Sequence, residues 1–293
     1  MTIVRRSIPC LSLLQLTSSA RGVNPIALIA STLSLIASSL HAAELNIGVS
    51  FSIPPYVIQE NNSGLELEIL QQALAVKGHS VSVHYLPLAR TFHELKEGKL
   101  DGIINAKIGV VENVHYSEKV ISFENCAISL EKNHYKIDAV SDLANKQVVA
   151  FQRASSLLGD EFKQMSESNN NYSEQARQLL QVYMLMKRRV DVIVMDKNIF
   201  KYYLKQAYLE GKLSVTELKQ QAICHKIFQP TDYRFAFLNP DIRDDFNLGL
   251  IDIQNNGTLS QIHDKYHRLL SLDFEADASS YYTEPLTQEK KPF

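Results

Sequence analysis

Leu45-Asn46-Ile47-Gly48-Val49-Ser50-Phe51 and Val190-Asp191-Val192-Ile193-Val194-Met195-Asp196 are the stretches whose reading decides the fold class. In the first, Leu45, Ile47, Val49 and Phe51 fall on one face at the two-residue period of a strand. In the second, the apolar run is nearly continuous, as in a buried strand of a parallel sheet. Pro54-Pro55 ends the first strand. Ser63 then caps a helix carrying Leu65, Ile69, Leu70, Ala73 and Leu74, which Gly78 stops. Val81, Val83 and Tyr85 alternate as a second strand, a helix over 89–96 ends at Gly98, and 100–104 forms a third strand. This βαβαβ order predicts a right-handed, mainly parallel sheet.

A second unit begins near Ser141. Its expected elements are a strand over 147–151, helices over 155–165 and 174–187, the strand at 190–195 and a helix over 198–207. A strand over 233–238 and a helix from Pro240 to about residue 254 follow. Asn255-Asn256-Gly257 breaks that helix, and Thr258 with Gln261 forms a capping box for a last helix ending near Leu270. The fold class is therefore α/β, with two sheets flanked by helices. Residues 271–293 read as a loose tail.

The chain has 293 residues, 45% of them hydrophobic and 21% charged, enough for one large or two medium domains with a full core. Residues 1–42 hold Arg5, Arg6 and Arg21 and no acid. Without them, 27 basic side chains face 32 acidic ones, a net charge of −5 in place of −2. That balance speaks against nucleic acid or an anionic membrane as the main partner. Ile26 to Leu40 is an uncharged run of apolar and small residues after a basic start, the pattern of a cleavable signal peptide over 1–42. The alternative, a retained membrane anchor, suits this short, Ser-rich run less well. The expected location is the periplasm. Cys10 lies ahead of the apolar run. Cys126 and Cys224 are either a pair formed in an oxidising compartment or two small buried hydrophobes.

Eight segments in order, "LNIGVSFSIPPY" (45–56), "GLELEIL" (64–70), "LKEGKLDGII" (95–104), "YSEKV" (116–120), "LANKQVVAFQ" (143–152), "RVDVIVMD" (189–196), "NNGTLSQIHDKY" (255–266) and the leader before them, resemble the family 3 periplasmic solute-binding proteins. Most of those serve amino-acid ABC importers. "PLARTF" (87–92) and "AFQRASSLLGDEF" (150–162) resemble a branch apart from the best-known amino-acid binders. The resemblance implies a two-lobed type II binding-protein fold. Lobe 1 is expected over 43–132 plus 230–270, lobe 2 over 137–226, with hinges at 131–136 and 226–230. The ligand would sit between the lobes, at the carboxyl ends of the strands.

In the amino-acid binders, an arginine about seven residues before the serine that matches Ser117 grips the ligand carboxylate in a bidentate pair. The stretch 107–114 has no arginine. The aspartate that meets the ligand ammonium is matched by Asp196, so the resemblance carries over only half of that clamp.

Read as residues, Asp196 closes a buried strand and either meets a cation in the cleft or caps the helix at Asn198. Arg90 and Lys107 are the candidate replacements for the missing arginine. Arg90 opposes the dipole of its own helix, which makes it a poor choice for local stability. Its bland alternative is an ion pair within the lobe, and that of Lys107 is plain exposure. Arg153, Ser155 and Ser156 precede a helix, where amides and hydroxyls bind an anion or merely cap. Phe51 and Tyr56 flank the end of the first strand and either stack on a ligand or belong to the core. Ser50 and Asn105, at the ends of the first and third strands, complete the candidate ligand set. Of Glu66 and Glu68, Glu68 is the one expected at the cleft.

His263 and His267 are spaced for a metal, but no third ligand is evident, so neither metal nor other cofactor is expected. The expected protein is a monomer that binds a small polar solute, amino-acid-like or cationic, and hands it to an ABC permease. The alternative is a sensor acting on a membrane kinase or cyclic-dinucleotide enzyme. An enzyme dehydrating cyclic acids would need Glu68 or Asp196 as acid and a carboxylate grip that is missing, so no catalytic role is expected.

Overall fold

The structure is a computed structural model that describes residues 43–50 and 52–271. The expected signal peptide, Phe51 and the tail from residue 272 lie outside the described residues. The strands are β1 (Glu44–Val49), β2 (Ser80–Tyr85), β3 (Gly102–Ala106), β4 (His115–Tyr116), β5 (Ile121–Phe123), β6 (Asn125–Leu130), β7 (Val148–Phe151), β8 (Tyr172–Gln175), β9 (Val192–Asp196), β10 (Ala222–His225) and β11 (Thr231–Phe237). The helices are α1 (Leu65–Ala75), α2 (Leu88–Lys96), α3 (Ala154–Leu157), α4 (Asp160–Ser168), α5 (Gln178–Met186), α6 (Lys197–Leu209), α7 (Val215–Leu218), α8 (Pro240–Asn255) and α9 (Thr258–Leu270).

Two sheets result. The first has the order β2-β1-β3-β11-β4, with β5 also on β11; the second has the order β10-β6-β9-β7-β8. In the first, β1 lies parallel between β2 and β3, as the βαβαβ pattern requires, and β11 returns antiparallel to β3. Opposite Phe235 the β3–β11 register shifts, and Asn105 takes the left-handed conformation at φ 56°. A bulge of this kind redirects the side chains around it. In the second sheet, β7 is parallel to β8 and β9, while β6 runs antiparallel to β9 and β10.

The chain leaves the first sheet after Phe123 and enters the second at Asn125. This crossing precedes the expected one at 131–136, because Asn125–Leu130 pairs with β9 and β10. The 43–132 segment is thus shared between the sheets. Cys126 and Cys224, on neighbouring strands, are joined by a disulfide with Cα atoms 5.3 Å apart. The return runs over 226–230, from β10 to β11.

Local readings need three further corrections. The helix expected over 155–165 is two helices, parted where Gly159 sits at φ 96°. The helix expected over 174–187 begins at Gln178, since Tyr172–Gln175 is an edge strand on β7. At helix starts, the chain uses Gly64 and Gly257 where Ser63 and Thr258 were expected as caps. Asn256 Oδ1 accepts from the Thr258 amide at 2.9 Å instead.

One apolar cluster runs through both halves, from Ile47, Leu67 and Phe246 to Ile193 and Phe200. Helix α1 buries Leu67, Ile69, Leu70, Ala73 and Leu74. It lies so close to α8 that a Cβ on Gly249 would stand 1.8 Å from the Ala73 carbonyl oxygen. This face fixes α1, and with it the loop that carries Tyr56. No helix among the described residues is long and apolar enough to cross a membrane.

Candidate binding cleft

The carboxyl ends of parallel strands from both sheets meet at a cavity of about 310 Å³. It is lined by Ser52, just past β1, by Ala176, Arg177, Gln178 and Leu179, just past β8, and by Tyr203 of α6. A larger concavity of about 510 Å³, lined by Glu131, Lys132, His134, Lys219, Gln220 and Gln221, belongs to the second half alone and touches no strand end of the first. The smaller cavity is the one that the strand-end rule for open α/β sheets points to.

Asp196 sits 1% exposed at the end of β9. Its Oδ1 accepts from the amides of Asn198 (2.8 Å) and Ile199 (3.1 Å) and from the Tyr56 hydroxyl (2.9 Å). Its Oδ2 accepts from the Glu124 amide at 2.8 Å. Burial pushes this carboxyl up, and the hydrogen bonds from Ile199, Tyr56, Asn198 and Glu124 oppose the shift. The side chain caps α6 and ties the first crossing to it, and its oxygens are already taken by the chain.

Tyr56 is the cover over Asp196. It is 1% exposed, stacks on Phe123 with ring centroids 4.4 Å apart, and also receives a hydrogen bond from the Asn198 side chain at 3.1 Å. Phe123 in turn lies 4.9 Å from Tyr233. Tyr56 thereby joins the two halves beside the crossings. Burial, then the charge of Asp196, pushes its hydroxyl far up, so it stays a donor. Lys197 pairs with Glu124 at 2.7 Å and holds that carboxyl below the usual range, which fixes the crossing further.

Glu66 is fully buried, and neither carboxylate oxygen has a hydrogen-bond partner among the described residues. Burial alone pushes it up to about 8. A carboxyl so placed stays protonated at neutral pH, because an isolated buried charge is far costlier than a neutral acid.

The remaining expected residues divide. Ser50 Oγ faces Thr91 Oγ1 at 3.5 Å. Asn105 has a buried Oδ1 with no partner. Lys107 follows β3, half-buried and without an ion pair among the described residues. Arg90 is 65% exposed and bonds Glu94 at 2.7 Å, so it holds its own helix surface. Glu68 is held within the first half: Lys265 and Tyr266 of α9 both reach its Oε1 at 2.5 Å. The anion nest expected at Arg153 and Ser155 is filled by the chain itself. Glu174 accepts from the Arg153 amide (2.6 Å), from the Ser155 amide and hydroxyl (3.0 and 2.7 Å) and from Tyr172 (2.9 Å). Burial works against the Glu174 charge, but these bonds outweigh it and hold the carboxyl below its usual range.

Sequence reasoning missed Ser52, Arg177, Gln178 and Tyr203. The signal for Arg177 was its place two residues beyond a strand end, hidden while 174–187 read as one helix. Among the described residues no group of three or more His, Cys, Asp or Glu side chains is placed to hold a metal.

Residues 45–268 match the bacterial extracellular solute-binding proteins, family 3. The chain belongs to that family. The ligand-binding core of GluR0 in complex with L-glutamate is similar in structure at 15% identity, with a TM-score of 0.60, over 79% of this chain and 100% of that one. An ancestral arginine-binding protein bound to arginine is similar at 18% identity and a TM-score of 0.58, over 76% and 97%. A histidine kinase sensor domain with similarity to periplasmic binding proteins is similar at 14% identity and a TM-score of 0.58, over 76% and 95%. No curated protein matches the sequence. The fold is the two-lobed type II periplasmic binding-protein fold.

Proposed function

We propose that the protein captures a small polar solute outside the cytoplasm, in the cavity between the two sheets, and delivers it to an ABC permease. The observation that carries this reading is the cavity itself: residues past the ends of β1 and β8, from different sheets, line one space. A solute there touches both halves at once, which is what couples binding to closure of two lobes. The lobes of this reading are 43–123 with 231–271, and 125–225. The leader over 1–42 takes the chain across the membrane, and the monomer acts without catalysis or cofactor.

A second reading is favoured by the likeness to a histidine kinase sensor domain. In it, the same closure is presented to a membrane kinase or cyclic-dinucleotide enzyme. Both readings need the same cleft and differ only in the partner.

A thermal-shift screen of residues 43–293 against amino acids, polyamines, short peptides and organic acids tests the common part. A ligand at about 100 times its Kd adds about 2.7 kcal/mol, a rise of several degrees at this size. A folded protein that no member stabilises would count against solute capture.

A further inference from the structure

At the start of β1 the chain meets a buried polar group that the cleft does not use. The Ala43 carbonyl accepts from the Ser80 amide at 2.9 Å, where the parallel pairing of β1 with β2 begins. The Ala43 nitrogen donates instead to a side chain, Nδ1 of His79, at 3.3 Å. His79 follows the turn at Gly78 (φ 87°) that ends α1, and it is 6% exposed. Its other nitrogen, Nε2, meets Asp245 Oδ2 of α8 at 2.9 Å. Asp245 lies one turn before Gly249, where α8 rests on α1, so the packing of the two helices holds the pair in place.

The direction of the bonds follows from their donors. Nδ1 accepts, so the ring carries its proton on Nε2 and donates it to Asp245. A carboxylate on one ring nitrogen makes the other a stronger acceptor. Lys77 is taken by Asp252 and Arg243 by Asp244, both at 2.6 Å. Among the described residues, Asp245 therefore has only the His79 ring against its charge. A backbone amide at residue 43 satisfies the ring but leaves that charge uncompensated; an ammonium does both.

The sequence supplies one. The uncharged run Ile26 to Leu40 is followed by Leu40-His41-Ala42, which ends on a small residue as a leader cleavage site does. Hydrolysis of the Ala42–Ala43 bond adds one water. The leader leaves with a new carboxylate on Ala42, and the Ala43 nitrogen takes up a proton at neutral pH.

We propose that removal of the leader after Ala42 creates the occupant of this pocket: the new α-ammonium of Ala43 docks on His79 Nδ1, with Asp245 behind the ring as its countercharge, so that the correctly trimmed chain is the most stable one. This rests on the leader reading and adds the cut position and what the cut does to the fold.

The test compares three chains by thermal melting: residues 43–293 with a free amine, the same chain acetylated enzymatically on Ala43, and residues 42–293. Acetylation keeps one N–H and removes the charge; the added Ala42 moves the charge one residue away. The free-amine chain is expected to melt about 2–5 °C above the other two, the scale of one charge-assisted bond in a protein of this size. In Asp245→Asn, which keeps the side-chain shape at a site 40% exposed, the gap should shrink to less than half. Equal melting of the three wild-type chains, or a gap that Asp245→Asn leaves at half or more, would overturn the inference. Mass analysis of the full chain exported from a bacterial host completes the test, with Ala43 expected first. A cut elsewhere would overturn the inference and leave the leader reading standing, whereas an uncut chain would remove both.

Discussion

Replacing Glu66 by Gln should make the protein more stable at alkaline pH and leave it nearly unchanged at acid pH. Glu66 is fully buried and both its oxygens lack partners among the described residues. Its carboxyl is pushed by burial from 4.5 to about 8. The folded state thus keeps a proton that the unfolded chain releases above pH 4.5. For an acid raised in this way, stability is complete below the unfolded value and falls as the pH climbs. The fall levels off once the pH passes about 8, where the folded state also ionises. At about 1.4 kcal/mol per unit, the interval amounts to about 5 kcal/mol at its ceiling and about 3 kcal/mol at neutral pH.

Glutamine keeps the shape of the neutral acid and removes the titration. Urea unfolding of both proteins, followed by tyrosine fluorescence because the chain has 13 Tyr and no Trp, reads the difference directly. The two curves should meet near the acid end and separate progressively, with Glu66→Gln above, as the pH rises toward about 8. Parallel curves across the whole range would refute the reasoning. They would mean that the carboxyl reaches solvent or a partner and carries its charge without penalty.

Two further outcomes follow from the packing. Reducing the Cys126–Cys224 bond, or replacing both cysteines by Ser, frees a segment of 98 residues. Loop closure of that length is worth about 4–5 kcal/mol on the chain-entropy account, so the urea midpoint should drop clearly under reductant; an unmoved midpoint would show that the pair adds nothing. Gly249→Ala drives a Cβ to within 1.8 Å of the Ala73 carbonyl. Separation of α1 from α8 should cost at least about 1–3 kcal/mol, and a melting temperature equal to wild type would contradict the packing described.

How much of this was legible beforehand depends on sequence separation. The alternation at Leu45, Ile47 and Val49 and the apolar run before Asp196 gave β1 and β9, since a strand's period is local. Tyr172-Ser173-Glu174-Gln175 carries no such period. It is a strand because it completes an edge beside β7, and reading it as helix concealed Arg177. The short β4, β5 and β10, and the six-residue β6, likewise owe their form to partners far along the chain. The place of Asp196 at the end of a buried strand was legible, since that too is local. Tyr56 was a candidate as well, but its bond to Asp196 was not legible, because the two lie 140 residues apart. The partner of Glu68 was hidden for the same reason: Tyr266, which bonds its carboxylate, is 198 residues distant. Cys126 and Cys224 could be paired only once β6 and β10 were neighbours.

The central claim is that a solute binds in the space between the two sheets. It is tested most directly by titrating a stabilising solute into wild type and into Ser52→Trp, which thrusts an indole into the 310 Å³ cavity from the first sheet's side. Ser52 is half-buried and its hydroxyl makes two local bonds, donating to the Val57 carbonyl at 3.3 Å and accepting from the Gln59 amide at 3.4 Å, so the fold should survive the change. The expected result is one-to-one saturable binding by wild type and none by Ser52→Trp at the same concentrations, with matching far-ultraviolet circular dichroism. Equal affinity in both proteins would contradict the account and place the solute elsewhere.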